Sequence, residues 1–407
     1  MNEELDVRNH QYCSIGKIGP MNRPIYFDGF ATTPMRPEAK AALIDTIEIY
    51  GNANSGHKEG RLAQSLIDAA QIQIANLIGS GPGDLVFTSG ASEANEIACR
   101  LMLDQVSGID GSRKKIIISA IEHEALQRSA NLGCADGFEL VVCPMTPDGM
   151  IDLDQLKNLV KDDTLFVSIM TASNLTGIIQ PIKEIAKIAH NAGALMHTDA
   201  AQAVGKICID VFETDVDLMS ISAHKFGGPK GIGIVYISSN AGLKSSAYQL
   251  DIKSVRPGTP PVSLIAAFGA AAQACNVSMI AESKQACDHL STFVRSVQAF
   301  GYDLSQVGGV SPTVPGTAGF ILRDVDIDDL IDRLSNNVCI SNASACAHGE
   351  LRASPLLSAL HVPVDNHANF FRISMGWWIN DVTLKRGIAE IEHALNQKFL
   401  ATGDINQ

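Results

Sequence analysis

A chain of 407 residues is longer than one hydrophobic core usually serves, so a larger and a smaller domain are expected. Its composition, 46% hydrophobic and 18% charged, excludes disordered, fibrous and collagen-like classes. A formal net charge of -13 repels phosphate backbones, which disfavours direct binding to nucleic acid.

Nine cysteines, an odd number with no C-x-x-C pair, argue against a disulfide scaffold or a structural zinc site, and no metal site is expected. They fit a reducing cytoplasm instead. The opening residues, MNEELDVRNHQYC, are acidic and polar without an apolar core, so no signal peptide is expected. No uninterrupted apolar run reaches the roughly 18 residues of a membrane span, so no membrane partner is expected either. The densest basic run, Arg113-Lys114-Lys115, reads as a solvated element end.

In chain order, residues 1–24 form a polar extension, part of or packed on the smaller domain. Residues 25–262 form the larger domain. Leu62 to Leu77 carries apolar residues at three- and four-residue spacing, the pattern of a helix with one buried face. Short apolar runs follow at Leu85 to Phe87, Lys115 to Ser119, Leu165 to Met170, Ala194 to Thr198 and Leu218 to Ile221. Their apolarity is continuous rather than alternating, as in parallel strands covered on both faces. Helical segments such as Ile182 to Ala192 lie between them, so an open α/β sheet is expected from about residue 85 to 240. After Pro257 to Val262 an alanine-rich helix begins the smaller α+β domain, residues 263–407, with strands at Gly319 to Leu322 and Phe371 to Ser374.

Open α/β sheets bind ligands beyond the carboxyl ends of their strands, and the polar residues of interest fall there. Lys225 follows one strand and precedes Phe226-Gly227-Gly228-Pro229-Lys230-Gly231. A lysine desolvated at that position offers a neutral amine, a nucleophile able to form a Schiff base with an aldehyde cofactor. Asp199 ends the strand before it, where a carboxylate can face the pyridine nitrogen of pyridoxal phosphate, or cap the following helix. Gln202, one turn on, is within reach of that ring's phenolic oxygen. Thr88-Ser89-Gly90-Ala91-Ser92-Glu93 opens a helix whose free amides favour an anion, with Ser92, Ser222 and His224 as partners for a phosphate; plain helix capping is the other reading. His123 is placed to stack on a cofactor ring or to serve as an ordinary polar group.

The blocks Tyr26 to Pro34, Gly51 to His57, Phe87 to Glu93, Glu122-His123, Asn174 to Gly177, His197 to Gln202, Ser222 to Lys225, Arg256 to Thr259, Ser344-Ala345-Cys346 and Arg372 to Gly376 occur in an order and spacing that resemble the NifS/IscS-like cysteine desulfurases of the class V aminotransferase group, over roughly Ile25 to Leu395. The resemblance implies fold type I of the pyridoxal-phosphate enzymes, a mostly parallel seven-stranded sheet flanked by helices with a smaller α+β domain. It implies conversion of L-cysteine to L-alanine, with sulfur held as a persulfide on Cys346 for an acceptor protein, in a homodimer.

By the same resemblance Lys225 carries the cofactor and moves the α-proton, Asp199 pairs with the ring nitrogen, Gln202 meets the phenolic oxygen and His123 stacks on the ring. The Ala91 amide, Ser92, Ser222 and His224 bind phosphate, with Thr259 reaching across from a second subunit. Asn174 and Arg372 hold the substrate carboxylate, for which a guanidinium fork is suited. Cys346 lies in a small-residue stretch, with His348 near enough in sequence to assist its deprotonation. The pattern departs from the family's usual one at Ser92, Leu175-Thr176, Arg256-Pro257-Gly258, Gly376-Trp377-Trp378 and Ala347 to Leu351. The rival readings are another class V reaction (aminotransferase, selenocysteine lyase or cysteine-sulfinate lyase) or a non-catalytic scaffold that retains the fold.

Overall fold

The computed structural model describes residues 23–105, 113–241, 243, 255–342 and 354–402, the last five as backbone only. The described chain starts with a short strand, β1 (Ile25–Tyr26), and then builds a central sheet. Its strands are β2 (Leu85–Thr88), β3 (Lys115–Ser119), β4 (Glu139–Cys143), β5 (Thr164–Ser168), β6 (Leu195–Asp199), β7 (Leu218–Ser222) and β8 (Gly233–Ile237). They lie in the order β2-β8-β7-β6-β5-β3-β4, and β8 alone runs against the others. The continuously apolar runs behave as expected of strands with both faces covered: β5 and β7 are buried along their whole length, as is β8, a strand absent from the sequence expectation. The edge strand β4, whose residues alternate in polarity less clearly, was not anticipated from the sequence, and it is largely open to solvent.

Helices cover both faces. The helix predicted over Leu62 to Leu77 spans Lys58–Ile78, and its apolar stripe of Ile67, Ala70, Ile74 and Leu77 is buried. His57 caps its start by accepting a hydrogen bond from the Gly60 amide at 3.2 Å, and Gly79, with φ of 71°, ends it in a left-handed turn. On the other face Ala91–Leu103 packs Ala94, Ile97, Ala98 and Leu101 onto β3, β5, β7 and β8. The basic run at residues 113–115 is not simply solvated. Arg113 donates to the carbonyls of Thr164 and Ala192, both at 2.8 Å, and Lys115 pairs with Asp163 at 2.9 Å.

A second core lies in a four-stranded antiparallel sheet made of β9 (Leu304–Gln306), β10 (Thr317–Leu322), β12 (Ser341–Asn342) and β13 (Phe370–Ser374), in the order β12-β13-β10-β9. Strand β1 pairs in parallel with β11 (Val338–Cys339), and Ile25 and Phe27 are buried in this second core. The sequence division at residue 25 therefore differs from the packing: the chain leaves the second core only after Phe27, because the apolar residues of β1 find cover against β11 and the last helix. The helix Val262–Ala299 connects the two cores, burying Ile265, Phe268 and Ala272 in the first and Phe293 and Val297 in the second. It is long and apolar enough to cross a membrane by length and composition, a property the sequence reading did not flag because short polar interruptions break its apolar run.

Phe293 is fully buried and meets the rings of Phe27, Phe320 and Phe371 at centroid distances of 6.4, 6.2 and 6.4 Å. Phe293→Ala should cost about 3–5 kcal/mol, read from denaturant unfolding; a loss under about 1 kcal/mol would mean the cluster repacks freely.

Candidate active site

The carboxyl ends of the parallel strands converge on one edge of the central sheet. Thr88 and Ser222 both pair with Gly233, so the ends of β2 and β7 flank the start of β8. A side chain on Gly233 would lie 2.8 Å from the Gly90 backbone, which explains a glycine there: the turn before the helix Ala91–Leu103 passes directly over β8. That helix has no side-chain cap at its start, which leaves the Ala91 and Ser92 end open beside Ser222. Ser92 is exposed, Ala91 half-buried and Ser222 buried.

Lys225 sits in the single turn that follows β7, half-buried. Its Nζ donates to the carbonyl of Phe30 at 2.5 Å and to that of Ala31 at 3.1 Å. The same Phe30 carbonyl accepts from Gln202 Nε2 at 3.0 Å. Lys206 Nζ in turn donates to the carbonyl and the Oε1 of Gln202, both at 3.2 Å, and stands 4.3 Å from the centre of the Phe30 ring. A cavity of about 40 Å³ lies alongside, lined by Phe30, Lys206, Lys225, Glu282, Thr317 and Trp377 among others. His224 shares a hydrogen bond with Thr32 Oγ1 at 3.0 Å; burial, then Lys225, Lys206 and Lys230, push its imidazole down to about 4, so it is neutral at neutral pH.

Asp199 is buried at the end of β6. Its carboxylate accepts from Asn95 Nδ2 at 2.7 Å and from the Ala201 amide at 2.9 Å. The second of these is a local turn contact; residues 201–206 form turns rather than the helix that the capping alternative expected. The first comes from a residue the sequence reading missed. Asn95 stands among Ala94, Ile97 and Ala98 on the buried face of its helix, and a lone polar group on an apolar stripe was the available signal. Two residues before Asp199, His197 lies between Ser168 Oγ at 2.7 Å and Ser220 Oγ at 3.0 Å, spanning three adjacent strands. Burial lowers it to about 4.

His123 is exposed and caps the helix Glu124–Ala135, accepting from the Ala125 amide at 3.1 Å. Arg372 is 3% exposed; it donates to the Asn174 carbonyl at 2.5 Å and pairs with Asp28 at 2.5 Å, while its Nε has no hydrogen-bond partner. The structure thus brings Arg372 and Asn174 together, and adds Asp28, which the sequence reading missed as a partner. Thr259 is exposed in the stretch 255–261, whose Arg256 pairs with Glu93 at 3.1 Å. Cys346 and His348 fall outside the described residues.

The model of the family described as aminotransferase class-V matches residues 25–382. The chain belongs to the class-V aminotransferase family. Among its relatives, the cysteine desulfurase of Homo sapiens is 34% identical over 366 residues, 88% of this chain and 79% of that one. The cysteine desulfurase IscS of Dictyoglomus turgidum is 33% identical over 93% of this chain and 96% of its own. Among solved structures, a NifS-like protein superposes with a TM-score of 0.82 at 27% identity, over 92% of this chain and 100% of that chain. SspA in complex with cysteine gives a TM-score of 0.74 at 26% identity, over 86% and 98%. The fold is accordingly that of the type I pyridoxal-phosphate enzymes.

One further group in this class-V aminotransferase escaped the sequence reading. Glu122, beside His123, is 1% exposed and accepts from Ser119 Oγ at 2.5 Å and the Met170 amide at 2.8 Å. Burial pushes its carboxyl up to about 8; the two hydrogen bonds oppose that shift and Asp199 adds to it. The folded state keeps this proton to about pH 8, whereas the ordinary value of 4.5 applies to the unfolded chain. Between those values the folded state binds more protons, so stability falls as pH rises. Glu122→Gln should flatten that slope in thermal melts across the same window; a slope identical to that of the unmodified protein would clear Glu122 of it.

Proposed function

We propose that the protein is a pyridoxal-phosphate-dependent cysteine desulfurase that converts L-cysteine to L-alanine and passes the sulfur to an acceptor protein. The observation that carries the reading is the meeting of Lys225 Nζ and Gln202 Nε2 on one carbonyl, that of Phe30, with the buried Asp199 carboxylate three residues before Gln202. An amine, an amide donor and a buried acid at neighbouring strand ends are the donor set a phosphorylated pyridine aldehyde needs. The names of the relatives agree with this chemistry.

The residues fit the cofactor. Lys225 would hold it as a Schiff base, Asp199 would face the ring nitrogen, Gln202 the phenolic oxygen, and exposed His123 would cover the ring. The uncapped helix start at Ala91 and Ser92, with Ser222 and His224, would take the phosphate, where amides and the helix dipole favour an anion. His224 is neutral there, so it would act as a hydrogen-bonding group rather than a countercharge. Pyridoxal phosphate, when bound, supplies an electron-poor ring that stabilises negative charge on the substrate α-carbon.

Arg372 would anchor the substrate carboxylate together with Asn174, its Nε being a buried donor without a partner. Asp28 holds the guanidinium in place but also partly satisfies it, so a carboxylate arriving there shares the fork with Asp28. Lys225, half-buried beside the Phe30 and Ala31 carbonyls, would move the α-proton. The Cys346 thiolate takes the substrate sulfur: the S–S bond forms as the C–S bond breaks, and the electron pair left on carbon is protonated, giving alanine and a persulfide. We further propose a homodimer in which the exposed Thr259 reaches the phosphate of the other subunit. The free thiols of the described cysteines suit the reducing cytoplasm proposed for the protein.

Cys346→Ser should lower sulfide release from cysteine roughly 10³-fold while the protein stays yellow; unchanged release would overturn the desulfurase reading in favour of another class V reaction. Lys225→Ala should abolish both colour and turnover. A protein that stays colourless with added cofactor would favour the scaffold reading. Light scattering of an active monomer would end the role given to Thr259.

A further inference from the structure

We propose that Lys206 is a positioning residue that fixes the side-chain amide of Gln202 with its nitrogen turned toward the cofactor's ring oxygen. The inference rests on the assignment of Lys225 and Gln202 above and concerns a residue to which that assignment gives no role.

An amide can be turned about its last bond, exchanging oxygen and nitrogen at almost no cost in shape, so its direction is set by its partners. Here two partners agree. Lys206 Nζ, a donor without lone pairs when charged, faces Oε1 at 3.2 Å, and the Phe30 carbonyl, an acceptor, faces Nε2 at 3.0 Å. Turning the amide would set oxygen against oxygen at Phe30 and N–H against N–H at Lys206. Gln202 is 7% exposed, so water does not easily compensate. Phe30 by itself is a shared acceptor, since Lys225 uses the same oxygen at 2.5 Å, and Lys206 is the contact on the opposite end of the amide. One N–H of the amide then remains for the ring oxygen.

Lys206 is itself held. Gly205 before it adopts φ of 74°, a left-handed conformation suited to glycine, and a side chain there would lie 2.6 Å from Phe226 Cβ. The Lys206 carbonyl accepts from Ser283 Oγ at 2.9 Å, and its ammonium end lies over the Phe30 ring. The charged and titratable groups acting on its amine are Lys225 and Arg372, which oppose its charge, and Cys275; Arg36 and Glu282 line the same cavity, and Lys206 acts in turn on His224. Burial first, then Lys225 and Arg372, push the amine well below its ordinary range. An amine and an ammonium both donate to Oε1; the ammonium, having no lone pair, also bars the turned amide, and the Phe30 carbonyl disfavours that turn with either form.

A donor on the phenolic oxygen stabilises its negative charge, and the neighbouring Schiff-base nitrogen then holds its proton less tightly. Loss of the clamp should let the amide turn and present oxygen to oxygen, which raises the pKa of that nitrogen. The test is a spectral pH titration of the bound cofactor in the purified holoenzyme. Lys206→Met should raise the midpoint by about one pH unit, Lys206→Ala similarly, and Lys206→Arg, which keeps a donor, by less. Gln202→Leu should raise it as well, and adding Lys206→Met to Gln202→Leu should produce no further shift. An unchanged midpoint in both Lys206→Met and Lys206→Ala would overturn the inference. So would the same shift from Lys206→Met in the Gln202→Leu background, since the lysine would then act by its charge alone. A wild-type protein with no cofactor band at all would overturn the Schiff-base assignment first, a failure distinct from a band that titrates alike in every variant.

Discussion

The carbonyl of Phe30 is the point on which the site is built. A carbonyl oxygen has two lone pairs, and here one is met by Lys225 and the other by Gln202. The amide of the same residue donates to Ser374 Oγ at 2.8 Å, and its ring lies under Lys206 and 5.7 Å from the Arg372 guanidinium. Phe30 itself is 2% exposed, so without Ser374 its amide would be buried without a partner. Residues 28–31 thereby join the second core, through Phe27 and the Asp28 pair with Arg372, to the strand ends of the first.

That strap has a steric condition. A side chain on Gly29 would lie 2.4 Å from Trp378, whose indole nitrogen donates to the Tyr26 carbonyl at 2.7 Å. The tryptophan pair at 377 and 378, one of the departures from the family's usual pattern, is therefore tied to the path of the strap: Trp378 lies against Gly29, and Trp377 lies 5.1 Å from the Arg36 guanidinium, which is paired with Glu282 at 2.5 Å. Both tryptophans line the cavity beside Lys206 and Lys225.

Electrostatically the site gathers cations in a chain that is acidic as a whole. Lys225, Lys206 and Arg372 act on one another or on His224 within a largely buried region, where each charge is costly, and exposed Lys230 adds its charge near His224. Burial is the first cause of the shifts at His197, His224 and Glu122, and each moves toward its uncharged form. A region that keeps its imidazoles neutral and its ammonium groups crowded is complementary to a ligand carrying phosphate and carboxylate, the charges that pyridoxal phosphate and an amino acid would bring.

Five of the seven central strands and the polar residues at their ends were legible in the sequence because they are set by local pattern: continuous apolar runs for strands, glycine and serine where a helix opens, and a lysine in a glycine-rich turn; β4 and β8 were not. The residues that hold those groups were not. Asn95 reaches Asp199 across 104 positions, Asp28 reaches Arg372 across 344, and Phe30 reaches Lys225 across 195. Nor was the place where the cores divide, since β1 finds its partner more than 300 residues away in β11. By itself the sequence determined at which strand ends Asp199, Ser222 and Lys225 stand, because periodicity and turn chemistry act over a few residues. Only the tertiary structure decided which carbonyl, amide or carboxylate each one meets, because such pairing depends on distances in space that no local pattern encodes.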